Sequence, residues 1–188
     1  MQEFPEYQMK VIRSRRKTLS AQVKDNMLIV RVPLNVKDDE IRTFLRRHQR
    51  WIRNHMERAS RNTDEAEKAG RLSAEEIRSL AEKALKVIPP KAEYYAKQMG
   101  VTYGKITIRN QKTRWGSCSS KGNLNFNCLL MLCPDEVTDS VIVHELAHRR
   151  EMNHSQRFYQ EVLRVFPAYW ECHNWLKKNG DVLLKRMR

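Results

Sequence analysis

The spacing of hydrophobic residues changes character along the chain. Between residues 9 and 32 it is strand-like. Met9-Lys10-Val11-Ile12-Arg13 and Ala21-Gln22-Val23 alternate in part, and Met27-Leu28-Ile29-Val30-Arg31-Val32 forms a third run. Such patterns predict half-buried strands. Asp25-Asn26 is the predicted turn, because both residues tolerate the left-handed backbone of a tight hairpin. From Asp38 the period becomes helical. Ile41, Phe44, Leu45, His48, Trp51, Ile52, His55 and Met56 recur every three or four residues, predicting one amphipathic helix over 38–61. Residues 60–72 are polar without clear periodicity and read as a linker. Ser73-Ala74-Glu75-Glu76 has the form of a capping box. It opens a helix expected to run to about Val87, to break at Pro89-Pro90 and to resume as far as Met99, with Gly100 as the stop.

The second half alternates in the same way. Lys105-Ile106-Thr107-Ile108-Arg109 and residues 123–128 are predicted strands, joined by a loop over 111–122. Pro134-Asp135-Glu136 begins a helix through Val137, Val141, His144 and His148, its acidic pair favouring the positive end of the dipole. A turn at Asn153-His154 leads to a helix from near Ser155, with Phe158, Val162 and Val165 inward. Pro167 interrupts it, and Ala168 to Lys178 forms a last helix before Gly180. The expected class is α+β. Residues 1–62 make a small β-rich lobe with a basic helix, and residues 63–188 make a second domain.

Composition narrows the function. The chain has 188 residues, 40% hydrophobic and 31% charged, enough apolar content for a core. No stretch approaches the roughly 18 apolar residues that cross a bilayer. Residues 1–16 lack the apolar core of a signal peptide, so a cytoplasmic location without membrane attachment is expected. The four cysteines form no Cys-x-x-Cys pair, and reduced, buried thiols are expected. The net charge is +14, and the first 62 residues carry 15 basic against 7 acidic side chains. That surface either attracts a nucleic acid or nucleotide without sequence preference, or is ordinary solvated Lys/Arg. His48 and His55, seven residues apart, make a weak metal pair and a better pair of packed histidines.

His144-Glu145-Leu146-Ala147-His148 carries the chemistry. On a helix, residues four apart return to nearly one face, so His144 and His148 can hold one Zn2+. Glu145 points to a water beside the metal rather than to the metal itself. His154 is the best third ligand. The helix must end before it, and Asn153 suits a left-handed reversal. A distal carboxylate, Glu161 or Glu171, is the alternative third ligand. A purely structural zinc would recruit a fourth ligand, for which Cys172 and His173 are available. The spacing is that of metzincins, but Glu151 stands where they carry Gly, and no Met-turn follows.

With Arg114-Trp115-Gly116-Ser117-Cys118, the HExxH helix and Asn153-His154-Ser155, the chain resembles the YgjP-like metallopeptidase family, related in motif to the SprT and WLM zinc proteases. The likeness extends to Arg13-Ser14-Arg15-Arg16-Lys17-Thr18 and Trp51-Ile52. It implies a zincin-like core behind a small β-rich lobe, with His144, His148 and His154 as ligands and Glu145 as the base. Trp115 is expected under the metal helix or in a purely structural loop. The strand 123–128 is expected beside the cleft as the edge that accepts an extended peptide. Arg114, Asn125 and Asn127 are the substrate-binding candidates. The leading expectation is a zinc metallopeptidase with a peptide or protein substrate, in which Glu145 takes a proton from water and passes it to the leaving amine. The rivals are metal-dependent hydrolysis of a nucleoside triphosphate, without a Gly-rich phosphate loop to support it, and a DNA-associated protease or binding module.

Overall fold

The structure is a computed structural model and describes residues 7–24 and 26–187. The chain forms two compact units, Met1–Lys68 and Ala69–Arg188. In the first, β1 (Gln8–Ser14), β2 (Ser20–Lys24) and β3 (Met27–Pro33) make one sheet in the order β1-β3-β2. β3 is central, parallel to β1 and antiparallel to β2. Of the predicted turn, Asp25 lies outside the described residues, while Asn26 has φ 57°, the left-handed region expected of it. Leu28, Val30 and Val32 alternate along β3 as buried residues and pack with Ile41, Leu45, Ile52 and Met56.

Where one helix was expected over 38–61 there are two, α1 (Asp38–Arg47) and α2 (Gln49–Ala69). His48 is the break. Its backbone leaves the helical region at φ −105°, ψ 11°, and its Nδ1 engages the Phe44 carbonyl at 2.8 Å, competing with the helix for that acceptor. The supposed linker is helical as far as Ala69. Its buried stripe continues from Ile52 and Met56 through Asn62 and Ala66, a polar and a small residue that a hydrophobic pattern does not reveal.

The second unit holds α3 (Ala74–Met99), β4 (Ile106–Arg109), β5 (Gly116–Cys118), β6 (Leu124–Asn127), a 3-10 turn (Cys128–Leu132), α4 (Asp135–Ala147), α5 (Gln156–Val165) and α6 (Tyr169–Lys185). The fold is α+β. The capping box is formed: Ser73 Oγ accepts from the Glu76 N–H at 3.1 Å, and the Ser73 N–H donates to Glu76 at 2.7 Å. Pro89 and Pro90 do not break α3. Each removes one N–H, freeing the carbonyls of Leu85 and Lys86 one turn back. Both of those residues are exposed, so water can satisfy them. The opposite face, Ala84, Ile88, Ala92, Ala96 and Met99, keeps the helix packed.

That small-residue row lets α4 approach closely. α4 buries Val137, Val141, Ile142, Val143, Leu146 and Ala147, as befits a helix surrounded by its neighbours. Pro134 is its N-cap rather than a first-turn residue. Lys91 Nζ of α3 clamps the start of α4 through Asp135 and Asp139, both at 2.7 Å. The sheet order is β4-β6-β5, with β6 central. Leu124 and Phe126 of β6 complete the core with Phe158, Val162 and Tyr169. α6 runs past Gly180, which the sequence suggested as a stop. A side chain there would meet Trp115 at 3.0 Å, so the glycine admits the indole. No described helix is long and apolar enough to cross a membrane.

Candidate active site

The HExxH residues occupy the end of α4. His144 and Glu145 lie in its last turn, and His148 is its C-cap. The chain then reverses without a left-handed Asn153, because among the described residues Asn26 is the one non-glycine with positive φ. The reversal rests on tight backbone bonds from Arg149 N to Leu146 O, 2.9 Å, and from Glu151 N to Ala147 O, 3.0 Å. Two arginines pin it to the end of α3: Arg149 Nε donates to Thr102 O at 2.9 Å, and Arg150 Nη2 to Met99 O at 2.6 Å. Ser155 caps α5, and His154 stands just before that cap.

The three imidazoles converge. One ligand atom from each of His144, His148 and His154 lies within 4.8 Å of the others, with no further His, Cys, Asp or Glu in the group among the described residues. His144 Nδ1 meets the Tyr169 hydroxyl at 2.9 Å, and His148 Nδ1 meets the Glu151 carbonyl at 3.2 Å. Their Nε2 atoms are therefore the ones left to serve the cluster. His144 Nε2 and His154 Nε2 are 3.0 Å apart. Two nitrogens at about 2.05 Å from a tetrahedral zinc would be about 3.3 Å apart, so little adjustment is needed. Burial first, and the neighbouring imidazoles second, push His144 down to about 3; burial also lowers His148. Both are neutral near pH 7, the form that binds metal. The donor set fits a divalent ion.

Phe158, fully buried, forms a floor under the site. Its ring centroid is 4.7–4.9 Å from each of the three imidazoles. Sequence reasoning gave it only a core role at an inward helix position. Of the alternative ligands, Glu161 is engaged by Arg164 at 3.0 Å and Arg150 at 3.7 Å. Neither Glu161, Glu171, Cys172 nor His173 joins the cluster. The four cysteines are unpaired thiols.

Glu145 is 6% exposed. Burial raises its carboxyl to about 8, against the pull of the Arg114 charge and the Cys118 backbone N–H. Gly116 explains the tight loop: a Cβ there would lie 2.5 Å from Glu145 Oε1. A cleft of about 330 Å³ is lined by Arg114, Gly116, Ser117, Cys118, His144, Glu145, His148, Met152 and His154.

The strand beside this cleft is β5, residues 116–118, within the segment expected to be loop. The strand expected there, 123–128, supplies β6, which is paired on both sides and has no free edge. Its asparagines serve the scaffold. Asn125 bonds Ser117 at 3.3 Å and accepts from Arg109 at 3.4 Å. Asn127 is wholly buried and ties down the carbonyls of Gln111, 2.7 Å, and Arg114, 2.9 Å. Neither lines the cleft, whereas the exposed Arg114 does. Trp115 packs against Gly180 of α6.

A buried helix bearing His144, Glu145 and His148, a third histidine returned by a turn, and an edge strand alongside define a zincin-like metallopeptidase domain. The model of the YgjP-like metallopeptidase domain matches residues 17–82 and 71–179. The chain belongs to the YgjP-like metallopeptidase family. Among solved structures it is similar to the metallopeptidase zymogen abylysin of Pyrococcus abyssi, at 24% identity over 49% of this chain and 94% of that one, with a TM-score of 0.45. It is also similar to the metallopeptidase zymogen jannalysin of Methanocaldococcus jannaschii, at 20% identity over 48% and 94%, with a TM-score of 0.44. No curated protein gave a significant match.

Proposed function

We propose that the second unit is a zinc-dependent peptidase in which His144, His148 and His154 hold the ion and Glu145 is the general base. The observation that carries this reading is the convergence of three imidazole nitrogens beside a buried carboxylate. Three imidazole donors suit zinc. The ion would supply a Lewis acid for the scissile carbonyl and the attacking water. Glu145 takes one proton from that water as its oxygen bonds to the carbonyl carbon. The same proton passes to the leaving nitrogen as the C–N bond breaks. β5 offers the cleft an edge for main-chain pairing with an extended peptide, and Arg114 places a positive charge at its rim. The unpaired thiols fit a reducing compartment such as the cytoplasm. The test is hydrolysis of a casein-like protein by the zinc-loaded chain and by its Glu145→Gln variant. Cleavage that Glu145→Gln reduces at least about a hundredfold, with zinc retained, supports the reading. Equal turnover in both contradicts it.

A second binding function is favoured by one feature of the first unit. Residues 42–61 hold seven arginines and one glutamate. Among the described residues only Arg42 of these is ion-paired, to Asp39 at 3.9 Å. Trp51, 38% exposed, stacks on His55 at 4.1 Å and 29°, and Arg50 and Arg58 flank the pair in sequence. A solvent-facing aromatic stack amid guanidinium groups suits single-stranded nucleic acid, by base stacking and phosphate contact. Binding should weaken steeply with salt. Trp51→Ala and the double reversal Arg46→Glu/Arg53→Glu should each weaken it without changing zinc content. No binding at low salt would leave this face a solvated surface.

A further inference from the structure

We propose that Tyr169 is a positioning residue for the metal site, its hydroxyl serving as the acceptor that holds His144 with Nε2 turned toward His148 and His154. The inference rests on the three-histidine reading above and concerns a residue that sequence alone placed merely at the start of a helix.

Tyr169 opens α6, and its side chain is nearly all buried, 4% exposed. The hydroxyl lies 2.9 Å from His144 Nδ1, and the two rings are close to parallel, 15° apart, with centroids 6.0 Å apart. A neutral imidazole has one N–H. For Nε2 to offer its lone pair to an ion, that proton must be on Nδ1 and needs an acceptor. His148 meets this need with the Glu151 carbonyl. His144 projects from the last turn of α4, and the Tyr169 hydroxyl oxygen at the start of α6 is the partner its Nδ1 has. The ring also limits rotation of the imidazole, so one phenol sets both tautomer and orientation. Removing such a partner of a ligating histidine typically weakens metal binding 10- to 100-fold.

Tyr169→Phe removes the oxygen and keeps the ring against His144. Affinity for Zn2+ and Co2+ is read by competition with a chromophoric chelator, alongside the visible spectrum of the Co2+ form and the thermal midpoint of the metal-free chain. The expected result is a 10- to 100-fold loss of affinity, an altered Co2+ spectrum and an unchanged midpoint. Affinity within threefold of wild type overturns the inference. Should the variant fail to fold, nitrogen NMR of the zinc-loaded wild type decides. A slowly exchanging His144 Nδ1–H supports the proposal, and a freely exchanging one overturns it. Wild type that binds no metal refutes the three-histidine site itself; wild type that binds normally beside an unaffected Tyr169→Phe refutes this inference alone.

Discussion

Gly116→Ala isolates the contact between the edge strand and the Glu145 side chain of α4. The added Cβ would lie 2.5 Å from Glu145 Oε1, 2.7 Å from Cγ and 2.9 Å from Cδ. Heavy atoms of this kind settle near 3.5 Å, so something must move by about 1 Å. The strand resists, because Gly116 pairs with Phe126, which is wholly buried. The carboxylate therefore moves. A misplacement of about 1 Å in a catalytic group costs on the order of a hundredfold in rate, and the overpacking costs about 1–3 kcal/mol of stability. The expected outcome is kcat/KM on a fluorogenic peptide lowered roughly 30- to 100-fold, with zinc stoichiometry unchanged. The double variant Gly116→Ala/Glu145→Gln should be no slower than Glu145→Gln, because both changes act through one carboxylate. Activity of Gly116→Ala within threefold of wild type, or full additivity in the double variant, would refute the reasoning.

Three other outcomes follow from the same geometry. In the metal-free protein Glu145 keeps its proton up to about pH 8, whereas the unfolded chain loses it near pH 4.5. The protonated carboxyl thus favours the folded state at low pH, and that contribution is lost as pH rises from about 5 to 8. Thermal midpoints of chelated wild type should fall over this range relative to Glu145→Gln, and a constant difference would count against the buried carboxyl. Lys91→Met leaves Asp139, whose side chain is 16% exposed, without its ammonium partner. It should destabilise the second unit by about 2–3 kcal/mol in a denaturant titration, whereas a change under 0.5 kcal/mol would mean the clamp is idle. His154→Ala should abolish tight zinc binding in a metal analysis, and retained stoichiometric binding would exclude it as a ligand.

The histidine cluster was legible because its spacing is local. The i, i+4 spacing of His144 and His148 puts both on one helix face whatever surrounds them, and the Ser73 capping box formed as expected. The errors came where tertiary packing outweighs local preference. Pro89 and Pro90 remain in α3 because Leu85 and Lys86, whose carbonyls lose a partner, are exposed while the opposite face is packed. Asn62 and Ala66 extend α2 through packing that hydropathy does not register. Sheet order is not legible, since no pattern in residues 123–128 tells a central strand from an edge. Asn125 and Asn127, expected at the cleft, hydrogen-bond to Ser117 and Arg109 and to the carbonyls of Gln111 and Arg114. Tyr169 and Phe158 reach the histidines only through the packing of α5 and α6 on α4.

X-ray absorption at the zinc K edge, on the chain loaded with one equivalent of zinc, tests the central claim most directly. The account predicts three imidazole nitrogens and one further light atom at about 2.0–2.1 Å, a shell that His154→Ala, having lost tight zinc binding, does not reproduce. A sulfur scatterer near 2.3 Å, or zinc surrounded by water alone, would contradict it.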